Sequence, residues 1–336
     1  MATYQEIHGV KVQYRDEDAT AIDGDVWYNR STGKLKMYTS LGSWASGTDL
    51  PGIRSYAAAF GTTTAAVWAG GYEPDPSGTY YATVFETDGS SWTAGEDLPA
   101  TFAAGSSGTG FGTLTAGVLC GWYHSTSPHA MLDDTLEYDG TDWTTSGDLP
   151  IGAADGSSSG TQTAGLYITG TSGFPTTRSA QSCEYDGSSW TAGENVNTIR
   201  FRGMGNQAGT QTAGMLIGGR GPSASQAEVE HYDGTNWSEG ADLNTARGNG
   251  GGNGISTAAI AYGGEISDDA GTANVESYDG SSWTEVANLS TARTGNRGVG
   301  GGVNTSALTV SGNRATAGVT TEVWGFSASV QTVAFD

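Results

Sequence analysis

The sequence predicts an all-β protein: six similar four-stranded units, preceded by a short β-hairpin segment. Three observations carry this expectation. A tryptophan phrase recurs at Trp44, Trp92, Trp143, Trp190, Trp237 and Trp283, with spacings of 48, 51, 47, 47 and 46. A second phrase, of the type "GTQTAGMLIGG", fills the gaps in six copies, ending near Gly71, Trp122, Gly170, Gly219, Gly264 and Asn313. The runs between turn signals hold four to eight residues rich in Val, Ile, Thr, Tyr and Trp, with no sustained 3.6-residue period. A period of roughly 40 to 50 residues suits the four-stranded blade of a ring-shaped β-propeller.

Each element of the unit has a physical reason. A Gly/Ala-rich strand such as "SYAAAFG" or "FRGMGNQ" comes first, because inner strands crowd near the ring axis. A near-continuous apolar strand such as "TAGMLI" comes second and reads as buried on both faces. "DTLEY" or "EVEHY" is third, and "SWTAG" is fourth. Between the last two, "YDGSSW" places Asp-Gly where a tight hairpin needs positive φ. The repeated Trp is large enough to pack between blades. Arg54, Arg200, Arg247 and Arg293 recur after the "LP" or "LN" position, which gives them a structural, blade-locking duty.

The ends complete the ring. The strand around Trp44 precedes all complete units, while the last unit, ending in "TEVWGF", lacks a fourth strand. A clasp follows: the strand around Trp44 closes the last blade and leaves no open edge. The expected organisation is a hairpin segment over residues 1–40, a six-bladed propeller over 41–326, and a tail over 327–336 that adds a strand. Within the first segment, "GDVWYNRSTGKLKMY" reads as a hairpin turning at "RSTGK".

The Gly-Gly doublet, the Tyr before Asp-Gly, the Trp about five residues on and the "DLP…R" run resemble kelch repeats. The resemblance spans roughly residues 42 to 325 and implies a kelch-like six-bladed propeller whose Tyr and Trp pack between blades. Some copies depart from it: Thr169-Gly170 and Ser311-Gly312 replace Gly-Gly, and Phe102 and Ala153 stand near the Arg position. The N-terminal hairpin resembles one found in bacteriophage tail and fibre proteins, and the repeats resemble kelch-like proteins of marine phages. Together these imply a virion protein, made in the host bacterial cytoplasm and contacting other virion proteins.

Composition narrows the partners. The net charge is −22, from 14 Lys and Arg against 36 Asp and Glu. Phosphate recognition needs clustered Lys and Arg, so no nucleic acid is expected. No apolar run approaches the roughly 20 residues of a spanning helix, so no membrane insertion is expected. Cys120 and Cys183 lie in apolar strands and read as packed thiols.

The turns of the "YDGSSW" type carry Asp88, Asp139, Asp186, Asp233 and Asp279 on one face. They read as turn chemistry rather than metal ligands, and a sialidase-type Asp box would need another residue between Asp and Gly. The loops after the Gly-Gly strand differ in every copy, and variable loops on a rigid scaffold are where binding resides. They supply Tyr72, Tyr80, Tyr81, Trp122, Tyr123, His124 and Phe174 as candidates for a host glycan or receptor. In the N-terminal hairpin, Trp27, Tyr28, Lys34, Lys36 and Tyr38 are candidates for docking to other virion proteins. No cofactor is expected, and no P-loop, HExxH or GxSxG motif is present. The copper oxidases that use kelch-like propellers need a His, Tyr and Cys cluster, and only four histidines exist. The expectation is a non-enzymatic protein.

Overall fold

The computed structural model describes residues 13–16, 25–73, 78–103, 105–126, 129–173, 177–205, 207–267, 270–312 and 320–332. The chain divides into two compact units, Trp44–Trp324 and the residues up to Ser43 together with those from Gly325 onward. Strand dominates both. No helix among the described residues is long and apolar enough to cross a membrane.

The larger unit is a six-bladed β-propeller. Blade 3 shows the plan: antiparallel strands Ser157–Thr161, Ala164–Gly173, Thr177–Tyr185 and Trp190–Ala192, in sequence order from the axis outward. Blades 1, 2, 4 and 5 repeat it. The second strands are buried through their middles, as continuous apolar runs require. In blade 4 the expected inner strand "FRGMGNQ" is irregular, and the regular ladder shrinks to Gly209–Thr210. The cause is local: Gln207 takes φ 62°, turning the chain out of the extended path just before it.

Blade 6 joins the two chain ends. Arg297–Val299 and Ala307–Val310 form its inner strands, and Trp324 lies opposite Ala307. The strand Thr321–Thr332 is flanked in the same sheet by the strand Lys34–Ser46. Within the propeller, Gly47 N–H donates to Thr321 O at 2.8 Å, and the Trp44 and Trp324 rings lie 5.4 Å apart. The tail residues 327–332 prolong this third strand instead of adding a separate one.

Between blades, the tryptophans act as hydrogen-bonding wedges. Trp92, Trp143, Trp237 and Trp283 each donate Nε1–H to a backbone carbonyl of the preceding blade or its exit, at 2.8 to 3.1 Å. Burial is less uniform than the repeat implies. Trp190, Trp237 and Trp283 are buried, while Trp44, Trp92 and Trp143 are half-buried. Trp92 lacks the stacking tyrosine of its siblings, because Thr87 stands where Tyr138 and Tyr185 stack on Trp143 and Trp190.

The recurrent arginines lock each blade internally. Arg200 donates to Gly218 O at 2.8 Å and pairs with Glu230 at 2.5 Å, both side chains being sealed from solvent. Arg247 pairs likewise with Glu276, and Arg293 with Glu322. The departures are matched across the blade. Arg54 stacks on Phe85, which holds the glutamate position in blade 1. Phe102 shares a core with Leu136 in blade 2, and Ala153 with Cys183 in blade 3. A buried carboxylate without its guanidinium would be costly, so both partners change together. Both cysteines are free and buried. Burial pushes the Cys183 thiol up to about 12 and Cys120 well above its ordinary value.

The smaller unit holds the expected hairpin: Val26–Asn29 pairs antiparallel with the start of Lys34–Ser46, and Gly33 N–H closes the turn onto Asn29 O at 2.8 Å. A strand missing from the sequence reading, Gln13–Arg15, pairs parallel with Val26–Asn29.

Candidate functional site on the variable-loop face

One end of the propeller axis is closed by backbone. Tyr56, Ser107, Asp155, Arg202, Asn249 and Gly295, one from each blade, all adopt left-handed φ between 56° and 66°. Each N–H donates to the carbonyl of the preceding member: Ser107 to Tyr56, Asp155 to Ser107, Arg202 to Asp155, Asn249 to Arg202, Gly295 to Asn249 and Tyr56 to Gly295. The distances run from 2.7 to 3.2 Å, and the six bonds form a complete circle. Five of the six residues are not glycine, so the circle stores local backbone strain that the packed ring maintains.

The side chains of this circle gather charge at the axis. Arg202 Nε lies 3.3 Å from Asp155 Oδ2, and its Nη1 3.6 Å from Glu265 Oε1. Its guanidinium sits 5.3 Å over the Tyr56 ring. Arg220 reaches the same Glu265 oxygen at 3.2 Å, and Arg297, from blade 6, brings Nη2 to 3.9 Å from Asp155 Oδ1. Asn249 Nδ2 donates to Tyr56 Oη, Glu265 Oε2 and Thr294 Oγ1 at 3.3 to 3.4 Å. Burial is the largest single influence and lowers the pKa of Arg202, but Asp155, Tyr56 and Glu265 together hold the group above its ordinary value. Arg297 is lowered by burial, against the pull of Asp155. Three guanidiniums thus meet two carboxylates at the centre of a strongly acidic chain.

This cluster escaped the sequence reading, although a signal existed. In five of the repeats the member of the circle sits two residues after the locking position: Arg54/Tyr56, Ala153/Asp155, Arg200/Arg202, Arg247/Asn249 and Arg293/Gly295. That position varies freely among otherwise similar copies. In blade 2 extra residues separate Phe102 from Ser107 and hide the register.

At the rim of the same face, the predicted tyrosines partly assemble. Tyr72 and Tyr80 face each other across a two-stranded ribbon, with ring centroids 4.6 Å apart. In blade 2, Tyr123 and His129 stack at 5.9 Å, and the Tyr123 hydroxyl lies 3.0 Å from His129 Nδ1. Burial raises the pKa of Tyr80, with Tyr123 adding to it and a hydrogen bond with Ser125 opposing it. Tyr72–Tyr80 and Tyr123–His129 are thus two aromatic pairs on adjacent blades.

Other candidates are placed differently. Trp122 is fully buried, donating Nε1–H to Phe102 O at 3.2 Å, and is a core residue rather than a contact. It buries because Gly105 and Gly108 leave the space its indole fills; a Cβ at either would lie within 2.2 Å of the indole. Tyr81 is committed to the scaffold: it donates to Glu73 at 2.5 Å and carries the Arg54 guanidinium 4.3 Å from its ring. His124 engages Thr126 Oγ1 at 2.9 Å. Phe174 lies outside the described residues. In the smaller unit, Trp27 is fully buried beneath Arg15, so it cannot dock a partner. Two of the basic side chains there are already paired, Arg15 with Asp25 at 3.4 Å and Arg30 with Asp16 at 2.9 Å. Lys34 stays exposed, Tyr28 meets Tyr14 edge-on at 5.7 Å, and Lys36 and Tyr38 are half-buried.

The Asp-Gly turns behave as turn chemistry. Asp186 Oδ1 accepts from Ser188 and Ser189 N–H at 2.8 Å, and the other four repeat the pattern. Among the described residues, no group of three or more His, Cys, Asp or Glu is placed to hold a metal ion.

No family model matches the chain, and no curated protein does. Among solved structures, the chain is similar to YjhT, at 12% identity and a TM-score of 0.66, over 84% of this chain and 99% of that one. The likeness shows the fold. It also corrects one expectation: a propeller shared with so different a sequence does not exclude catalysis, so the protein is not held to be non-enzymatic. At this identity the likeness carries no active site across to this chain.

Proposed function

We propose that the protein is a bacteriophage virion component whose propeller recognises a host surface glycan through its variable-loop face, with the smaller unit as its attachment to other virion proteins. The virion setting rests on the kelch-like repeats and the phage-type hairpin. The recognition reading is carried by one observation: two aromatic pairs, Tyr72–Tyr80 and Tyr123–His129, stand on the variable loops of adjacent blades. Aromatic faces stack on the C–H faces of sugars at little entropic cost. The rest of the repeat is spent on rigidity, in wedges, ion pairs and the axial circle, which suits a platform that must present loops without moving.

The experiment is a glycan array probed with the full chain, alongside Tyr80→Ala and Tyr123→Ala. Binding to a host-type glycan that falls about tenfold or more in both variants, with unchanged melting, supports the reading. Binding unaffected by either substitution, or no binding to any glycan or to intact host cells, overturns it.

A further inference from the structure

On the opposite face, a bond that three successive junctions share is missing at the next. Across the first three junctions a third-strand tyrosine donates to a glutamate of the preceding blade: Tyr138 to Glu86, Tyr185 to Glu137 at 2.5 Å, and Tyr232 to Glu184 at 2.7 Å. Between blades 4 and 5 the glutamate position holds His231, and the tyrosine is Tyr278. Their rings lie 5.8 Å apart, tilted by 35°. The hydroxyl of Tyr278 has lost its carboxylate, and the imidazole of His231 makes no hydrogen bond to any described residue.

An open surface depression of about 560 Å³ lies there, bordered by His231, Tyr278, Asp233, Glu239, Ser238 and Ser256. Its size suits one small molecule lying against the surface rather than a buried one. Gly240 keeps it open on the histidine side: a Cβ there would come within 2.4 Å of His231 Nε2. The chemistry of the walls is selective. They offer hydroxyls, carboxylates and an imidazole, and no Lys or Arg, so they repel an anion and leave phosphate or sulfate without a donor of matching charge. Burial lowers the pKa of His231. At neutral pH the imidazole is therefore uncharged, with one donor and one acceptor nitrogen. Alternating donors and acceptors without net positive charge match a polyhydroxylated neutral molecule.

We propose that the cleft between blades 4 and 5 binds a single neutral hexose, with His231 and the Tyr278 hydroxyl as its principal hydrogen-bonding groups. This cleft is separate from the variable-loop face and stands or falls independently of that reading.

The repeat itself supplies the variant to test it. His231→Glu restores the residue of blades 1 to 3, so it should re-form the glutamate–tyrosine bond, keep or raise the melting temperature, and fill the cleft. The wild-type full chain is titrated with glucose, galactose and mannose, and with galacturonate as the anionic control. The readouts are the His231 imidazole resonances and the fluorescence of Trp283, which stacks on Tyr278 at 5.0 Å. Saturable shifts with at least one hexose, none with galacturonate, and affinity about tenfold or more weaker in His231→Glu are expected, the loss matching about one hydrogen bond. The proposal is overturned if none of the three hexoses moves the His231 signals, if galacturonate binds as well as they do, or if His231→Glu binds like the wild type. Because His231→Glu reproduces a native junction, lost binding with retained melting cannot be put down to misfolding.

Discussion

Trp44 and Trp324 pack against each other within one blade, ring centroids 5.4 Å apart and planes tilted by 49°, although 280 residues separate them (324 minus 44). Trp44 also meets Tyr262 of the neighbouring blade edge-on at 5.1 Å. It thus joins the chain's beginning to its end and the last blade to the fifth. Trp44 is half-buried, so Trp44→Ala should cost about 2 kcal/mol, below the roughly 3 to 5 of a fully buried aromatic. Chemical denaturation monitored by near-UV signal checks this. A loss under about 1 kcal/mol would mean that the ring stays closed by backbone pairing alone.

The ion pair of Arg200 and Glu230 predicts a non-additive double mutant. Removing the guanidinium in Arg200→Leu strands a buried carboxylate and should cost about 3 to 5 kcal/mol. The double variant Arg200→Leu/Glu230→Leu should recover most of that, because blade 2 already uses Phe102 with Leu136 at the same places. Denaturant melts of both singles and the double provide the cycle. If the double is as unstable as Arg200→Leu, the guanidinium's bonds to Gly218 O and Thr198 O, not the charge pair, dominate.

How much of this was legible depends on periodicity. The six tryptophans and the Asp-Gly turns gave blade number and strand order, because each recurs at a fixed place and a propeller cannot accommodate drift there. The uneven count of Trp strands pointed to the sheet that holds Trp44 and Trp324. The axial cluster was hidden for the opposite reason: Tyr56, Asp155, Arg202 and Asn249 share a backbone conformation, not a side-chain type. Trp122 misled because its loop-like neighbours conceal a core position made by distant glycines, Gly105 and Gly108. The pairing of Phe102 with Leu136 was readable in principle, since both departures from the repeat lie at facing positions.

The Asp-Gly turns predict a defined acid response. Backbone and hydroxyl donors from Ser188 and Ser189 hold the Asp186 carboxyl at about 2, and Asp88 and Asp279 behave alike. A folded pKa below the unfolded value of about 3.9 stabilises the fold above that value, and the contribution is lost as pH falls through about 2. Asp186→Ala should therefore lower the denaturation midpoint at pH 7, and its curve should converge on the wild type towards pH 2. A gap that persists unchanged to pH 2 would show that the turn depends on side-chain shape, not on the ionised carboxylate.

The axial circle has one member that is glycine, and it tests whether the circle matters. Gly295 sits at φ 66°, donates to Asn249 O at 2.8 Å and accepts from Tyr56 N–H at 3.2 Å, the longest bond of the six. A Cβ placed there would lie 3.2 Å from the Tyr56 ring, which is tight but not prohibitive. The left-handed conformation itself costs a residue with a Cβ roughly 1 to 2 kcal/mol. Gly295→Ala should lose about that much, and Gly295→Val more, because branched side chains tolerate positive φ least. Equilibrium unfolding in denaturant ranks the three proteins. If Gly295→Val unfolds at the wild-type midpoint, the sixth bond of the circle contributes nothing, and blade packing alone closes the axis.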